Sequence, residues 1–82
     1  MTVTVLYFAG VRDLVGTAEQ ELTLPESPCT LQQFVAALSL KHPQLRDRLT
    51  GVRFAINETF SEPSDAIVDG DVVAVIPPVA GG

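Results

Sequence analysis

Pro77 and Pro78 end the last apolar run of the chain and constrain what can lie on either side of them. Before them, Val72 to Ile76 is rich in β-branched residues and follows the turn signal Asp69-Gly70-Asp71, the pattern of a buried strand entered from a tight turn. Neither proline can donate to a β-ladder and both hold φ near the polyproline value, so the chain from Pro77 onward is expected to leave the sheet extended. Residues 77–82 reach about 20 Å at full extension. Gly81 and Gly82 carry no side chains, so such a tail could thread a narrow channel and present an open carboxylate to a partner's active site. A Gly-Gly ending alone is also what a frayed terminus has. The organisation predicted is a folded body over residues 1–76 and an extended, flexible tail over 77–82.

The body reads as α+β. Thr2 to Phe8 alternates, with Val3, Val5 and Tyr7 on one face and Leu6 and Phe8 on the other; apolar groups on both faces favour a central strand. Gly10 to Gly16 places Val11, Leu14 and Val15 at helical spacing, enough for one or two turns. Glu19 to Leu24 alternates again, as an edge strand stopped by Pro25. Residues 27–30 read as a loop, and Thr30 with Gln33 fits a capping box. Leu31, Phe34, Val35 and Leu38 then mark the main helix, with Lys41 and His42 in its last turn complementing the macrodipole before Pro43. A short turn over Pro43 to Leu49, a strand over Val52 to Asn57, a very short strand at Phe60 and a polar loop over 61–65 complete the pattern. One long helix across one face of a mixed sheet of about five strands is predicted, the first and last strands adjacent, central and parallel.

With 82 residues, 46% of them hydrophobic and 18% charged, one compact core is expected and no second domain fits. A net charge of −5 argues against phosphate backbones and anionic membrane surfaces as partners. The charge is uneven: Glu58, Glu62, Asp65, Asp69 and Asp71 follow Arg53, and no Lys or Arg does. These acids either steer the tail toward a basic surface or solubilise turns. The single cysteine excludes an internal disulfide, and no signal peptide or membrane span is expected, which makes the cytoplasm the default compartment.

No catalytic constellation is visible. His42 is the only histidine and reads as a helix cap; Cys29 has no CxxC partner and reads as an inert, half-buried thiol. Asp69-Gly70-Asp71 lacks the further ligands of a calcium loop, and no metal or bound cofactor is expected. The reactive group left is the terminal carboxylate, a poor electrophile until an ATP-dependent enzyme adenylates it.

Leu6 to Gly16 (LYFAGVRDLVG), Phe54 to Phe60 (FAINETF) and Val68 to Gly82 (VDGDVVAVIPPVAGG) resemble the small subunits of molybdopterin synthase, the MoaD-type sulfur carriers with a ubiquitin-like β-grasp fold. The resemblance spans essentially the whole chain. It implies that Gly82 is adenylated by an E1-like, MoeB-type adenylyltransferase using ATP, and is converted by a sulfur donor system to a thiocarboxylate. It further implies that the tail, with Gly81 giving clearance, enters the large synthase subunit and delivers sulfur to cyclic pyranopterin monophosphate. The chain would then be the non-catalytic sulfur donor of a heterotetramer, binding no cofactor itself. By the same resemblance Phe8, Phe60 and Ile76 form an apolar docking patch, continued by Pro77 and Pro78. Ile76 stands where an aromatic side chain also occurs in the family, and Arg12 matches a family position. The alternation that puts Phe8 opposite Val3 and Val5 agrees with such a patch, and ordinary core is the other reading of these three positions. Two other readings stay open: a related thiocarboxylate carrier for thiamine, tRNA thiolation or cysteine synthesis, and a ubiquitin-like protein modifier.

Overall fold

The computed structural model describes residues 1–25 and 27–78. Strand β1 (Thr2–Tyr7) pairs antiparallel with β2 (Glu19–Thr23) and parallel with the last strand, β7 (Val72–Ile76). Strand β4 (Arg53–Ile56) pairs antiparallel with β7 and with the two-residue β5 (Thr59–Phe60). The order is β2-β1-β7-β4-β5, so the two most apolar strands lie side by side in the middle, as predicted. Parallel neighbours cannot be joined by a hairpin, and the long connection between β1 and β7 holds the rest of the fold, including helix α2 (Leu31–Lys41).

Alternation in the strands and helical spacing in α2 converge on one core. Val3, Val5 and Tyr7 of β1, Leu22 of β2, and Val73 and Val75 of β7 are buried on the face that meets Leu31, Phe34 and Leu38 of α2. Phe34 is fully buried and meets Phe54 edge to face, ring centroids 6.4 Å apart. The capping box is present: Thr30 Oγ1 accepts from Gln33 N at 3.1 Å, and Gln33 Oε1 accepts from Thr30 N at 2.8 Å. Helix α1 (Ala9–Val15) buries Val11 and ends at Gly16.

Three details differ from the sequence reading. The stretch read as a loop over residues 27–30 ends in a strand, β3 (Cys29–Thr30), paired antiparallel with β6 (Ala66–Ile67) beyond the polar loop. Two-residue strands carry no period to read; this pair is closed by tertiary hydrogen bonds, Leu31 N to Asp65 O and Gln32 N to Pro63 O, both 2.9 Å. The expected turn over Pro43 to Leu49 is a 3₁₀ turn over Pro43–Leu45 only, with Leu45 fully buried. Finally, His42 is the helix C-cap, as its position before Pro43 suggests, but burial, helped by the adjacent Lys41 charge, lowers its pKa, which works against the positive charge expected of it at the dipole.

Candidate functional site: an apolar groove at the root of the tail

Helix α2 covers one sheet face, and alternation sends the remaining apolar side chains of β1 and β7 to the other. There Leu6, Val72, Ala74, Ile76 and Ala55 form the floor of a groove walled by Phe8 and Phe60. Ala74 is in register with both Ala55 and Leu6, so two methyl side chains meet at its centre and leave the floor low. Phe8 is 45% exposed and Phe60 56%, unusual for rings this large, whereas Ile76 is half-buried. The structure therefore brings Phe8, Phe60 and Ile76 together on one surface, outside the helix-covered core. Phe8 lies one residue past β1 but keeps extended backbone, φ −124° and ψ 150°, which preserves its outward direction before the chain turns into α1.

One end of the groove is built from turns. Asn57 and Glu58 both have positive φ, 50° and 71°, matching the hairpin turn that joins right-twisted strands. Asn57 Nδ2 donates to Asp71 Oδ1 and Val72 N donates to Asn57 Oδ1, both 2.9 Å, which ties the β4–β5 hairpin to the start of β7. Asp71 Oδ2 accepts from Val68 N at 2.9 Å and Asp69 Oδ1 from Thr2 N at 2.8 Å, around Gly70 at φ +86°, where a side chain would be strained. Asp69 and Asp71 thus hold the turn into β7, a specific role within the acidic C-terminal third.

At the other end the chain leaves the sheet. Strand β7 stops at Ile76, Pro77 is half-buried, and Pro78 runs beside Gly51, where a Cβ would stand 3.6 Å from the proline Cγ. Gly81 and Gly82, with Val79 and Ala80, lie outside the described residues. Arg53, across the ladder from Ile76, holds its guanidinium carbon 4.0 Å from the Phe60 ring centroid. Sequence reasoning did not single out this residue. Its signal is the two-residue period: Arg53 and Ala55 share a strand face.

The alternative chemistry does not assemble. Tyr7 Oη donates to Gln20 Oε1 at 2.9 Å, and His42 Nε2 lies 2.7 Å from the same oxygen, so that nitrogen carries the proton. The imidazole meets the Tyr7 ring edge-on, centroids 6.1 Å apart. Burial pushes Tyr7 up to about 12. Two donors converging on one amide oxygen knit β1, β2 and the end of α2 together and present no group to a substrate. Cys29 is buried just before the α2 cap. Among the described residues no cluster of His, Cys, Asp and Glu could hold a metal, and no helix is long and apolar enough to cross a membrane.

Comparisons with known proteins agree with this geometry. The ThiS family matches over residues 5–82. The chain is 38% identical to the molybdopterin synthase sulfur carrier subunit of Chlamydomonas reinhardtii, covering 100% of both chains. It is 38% identical to that of Mycobacterium tuberculosis, covering 98% of this chain and 96% of the relative. Among solved structures, a putative molybdopterin converting factor subunit 1 from Pyrococcus furiosus superposes with a TM-score of 0.85 at 30% identity, over 96% of this chain and 99% of that one. SAMP1 from Haloferax volcanii shares the fold over the full length of both chains, TM-score 0.90, at 22% identity. A β-grasp body with an apolar groove at the root of a Pro-Pro-x-x-Gly-Gly tail, matched end to end by these relatives, belongs to the ThiS family, among the molybdopterin synthase sulfur carrier subunits.

Proposed function

We propose that this chain is the sulfur-carrying small subunit of a molybdopterin synthase, and that its chemistry is confined to the Gly82 carboxylate. An E1-like enzyme joins that carboxylate to the α-phosphate of ATP and releases pyrophosphate. A sulfur donor then displaces AMP and leaves a thiocarboxylate. The tail passes into the large subunit and gives its sulfur to cyclic pyranopterin monophosphate, and hydrolysis restores the carboxylate; each molybdopterin takes two sulfurs and so two turns of the carrier. The cofactor need is met by the activating partner's ATP, with none resident in this chain, and the assembly belongs in the cytoplasm.

The observation that carries this reading is the groove: exposed Phe8 and Phe60 beside Ile76, at the point where the sequence PPVAGG leaves the sheet. Side chains that size stay exposed where a partner covers them. A Helicobacter pylori structure described as a complex of subunits 1 and 2 of molybdopterin-converting factor has the same fold, TM-score 0.71 at 23% identity, over 100% of both chains. It supports a large subunit as a partner, and the exposed rings are the reason we assign that partner to this face. The test is intact mass after incubation with the activating enzyme, ATP and a sulfur donor. A gain equal to exchanging one oxygen for sulfur, localised to Gly82, is expected. No gain with active partners would refute the carrier chemistry, and ATP-dependent conjugates to lysines without sulfur would replace it with a protein modifier.

A further inference from the structure

Arg53 is the only Lys or Arg in any of the strands. Its position is specific: it is in register with Ile76, the last residue before the tail, and it lies over Phe60, one wall of the groove. Among the described residues its side chain has no hydrogen bond or ion pair; its contact is the ring. A cation held against an aromatic face has given up part of its rotamer freedom before any partner arrives, while its N–H donors stay available. Glu62 lines the same surface hollow as Arg53, and every charged residue after Arg53 in the sequence, from Glu58 to Asp71, is acidic.

We propose that Arg53 determines specificity for the large subunit by taking a carboxylate side chain at the rim of the channel that receives the tail. The assignment rests on the carrier reading above. For residues beyond Pro78 to enter a channel, the rim must close around Ile76 and Pro77, and Arg53 stands directly across the ladder from Ile76. A partner surface complementary to the acidic third of this chain is basic, and against such a surface a lone cation is repelled unless a carboxylate meets it there. One opposite charge at that point fixes the register in which the tail enters and disfavours activators or acceptors with an unbroken basic rim.

The test uses the full chain with its large subunit and activating enzyme, and the variants Arg53→Lys, Arg53→Gln and Arg53→Glu. Arg53 is exposed, so the thermal midpoints should stay close to the parent's. Calorimetric titration should give graded losses of affinity for the large subunit, about threefold for Lys, about fivefold for Gln and about thirtyfold for Glu, the last shrinking as salt is raised. Equal losses for Gln and Glu without salt dependence would mean the side chain only packs, and would overturn the proposal. Unchanged affinity for the large subunit with slower thiocarboxylate formation would also overturn it, by moving the contact to the activating enzyme. If the unsubstituted, thiocarboxylated chain fails to bind the large subunit, the carrier reading itself fails and this contact falls with it.

Discussion

Tyr7 and His42 share one amide oxygen of Gln20, and their opposite pKa shifts set a pH dependence of stability. The folded chain holds the Tyr7 proton up to about pH 12, whereas the unfolded chain loses it near 10.0. In that window the native state binds more protons, so stability falls as pH rises. His42 has the reverse sign: its folded pKa lies below 6.5, the unfolded chain protonates first on acidification, and stability falls as pH drops below 6.5. Urea midpoints against pH should therefore show a plateau from about 6.5 to 10 with a fall on both sides, and Tyr7→Phe should flatten the alkaline limb. At the same scale, Ile76→Asp should leave the fold intact and weaken large-subunit binding at least tenfold, because it puts a charge on the groove floor. Unchanged affinity in a pull-down or titration would remove Ile76 from the interface. Gln20 is a residue whose role could not be read from the chain: alternation puts it on the inward face with Leu22, a polar group with no partner legible in the sequence, and only the return of α2 brings His42 onto it.

Helix α2 was legible because three independent signals agree on it, the capping box, the stripe of Leu31, Phe34 and Leu38, and the proline two residues beyond its end. Leu38 is fully buried against the sheet, and Leu38→Ala should cost about 2–5 kcal/mol in denaturant unfolding, mostly as an unfilled cavity. A midpoint equal to the parent's would contradict the register of this helix. The small β3–β6 sheet was not legible, since Cys29–Thr30 and Ala66–Ile67 are each too short to show alternation. Their pairing follows from where α2 begins, because Thr30 is both the end of β3 and the cap of the helix.

On the proposed reading, folding belongs to the residues up to Ile76 and chemistry to Gly82. The parallel pair β1–β7 closes the first residues of the chain onto the last strand, so the core is complete before Pro77. Removal of Gly82 should accordingly leave the thermal midpoint unchanged within about 1 °C and abolish thiocarboxylate formation, read by calorimetry and intact mass. A clear loss of stability would instead make the terminus part of the folded body. By itself the sequence determined the α+β class, the main helix and its cap, the central strands and the end of the last strand at Ile76, because each rests on local periodicity or on proline and glycine geometry. Only the tertiary structure decided that Phe8, Phe60 and Ile76 share one exposed face with Arg53 stacked at its end. Those residues come from strands far apart in the chain, and their meeting depends on which strands pair, in what register, and on which face α2 settles.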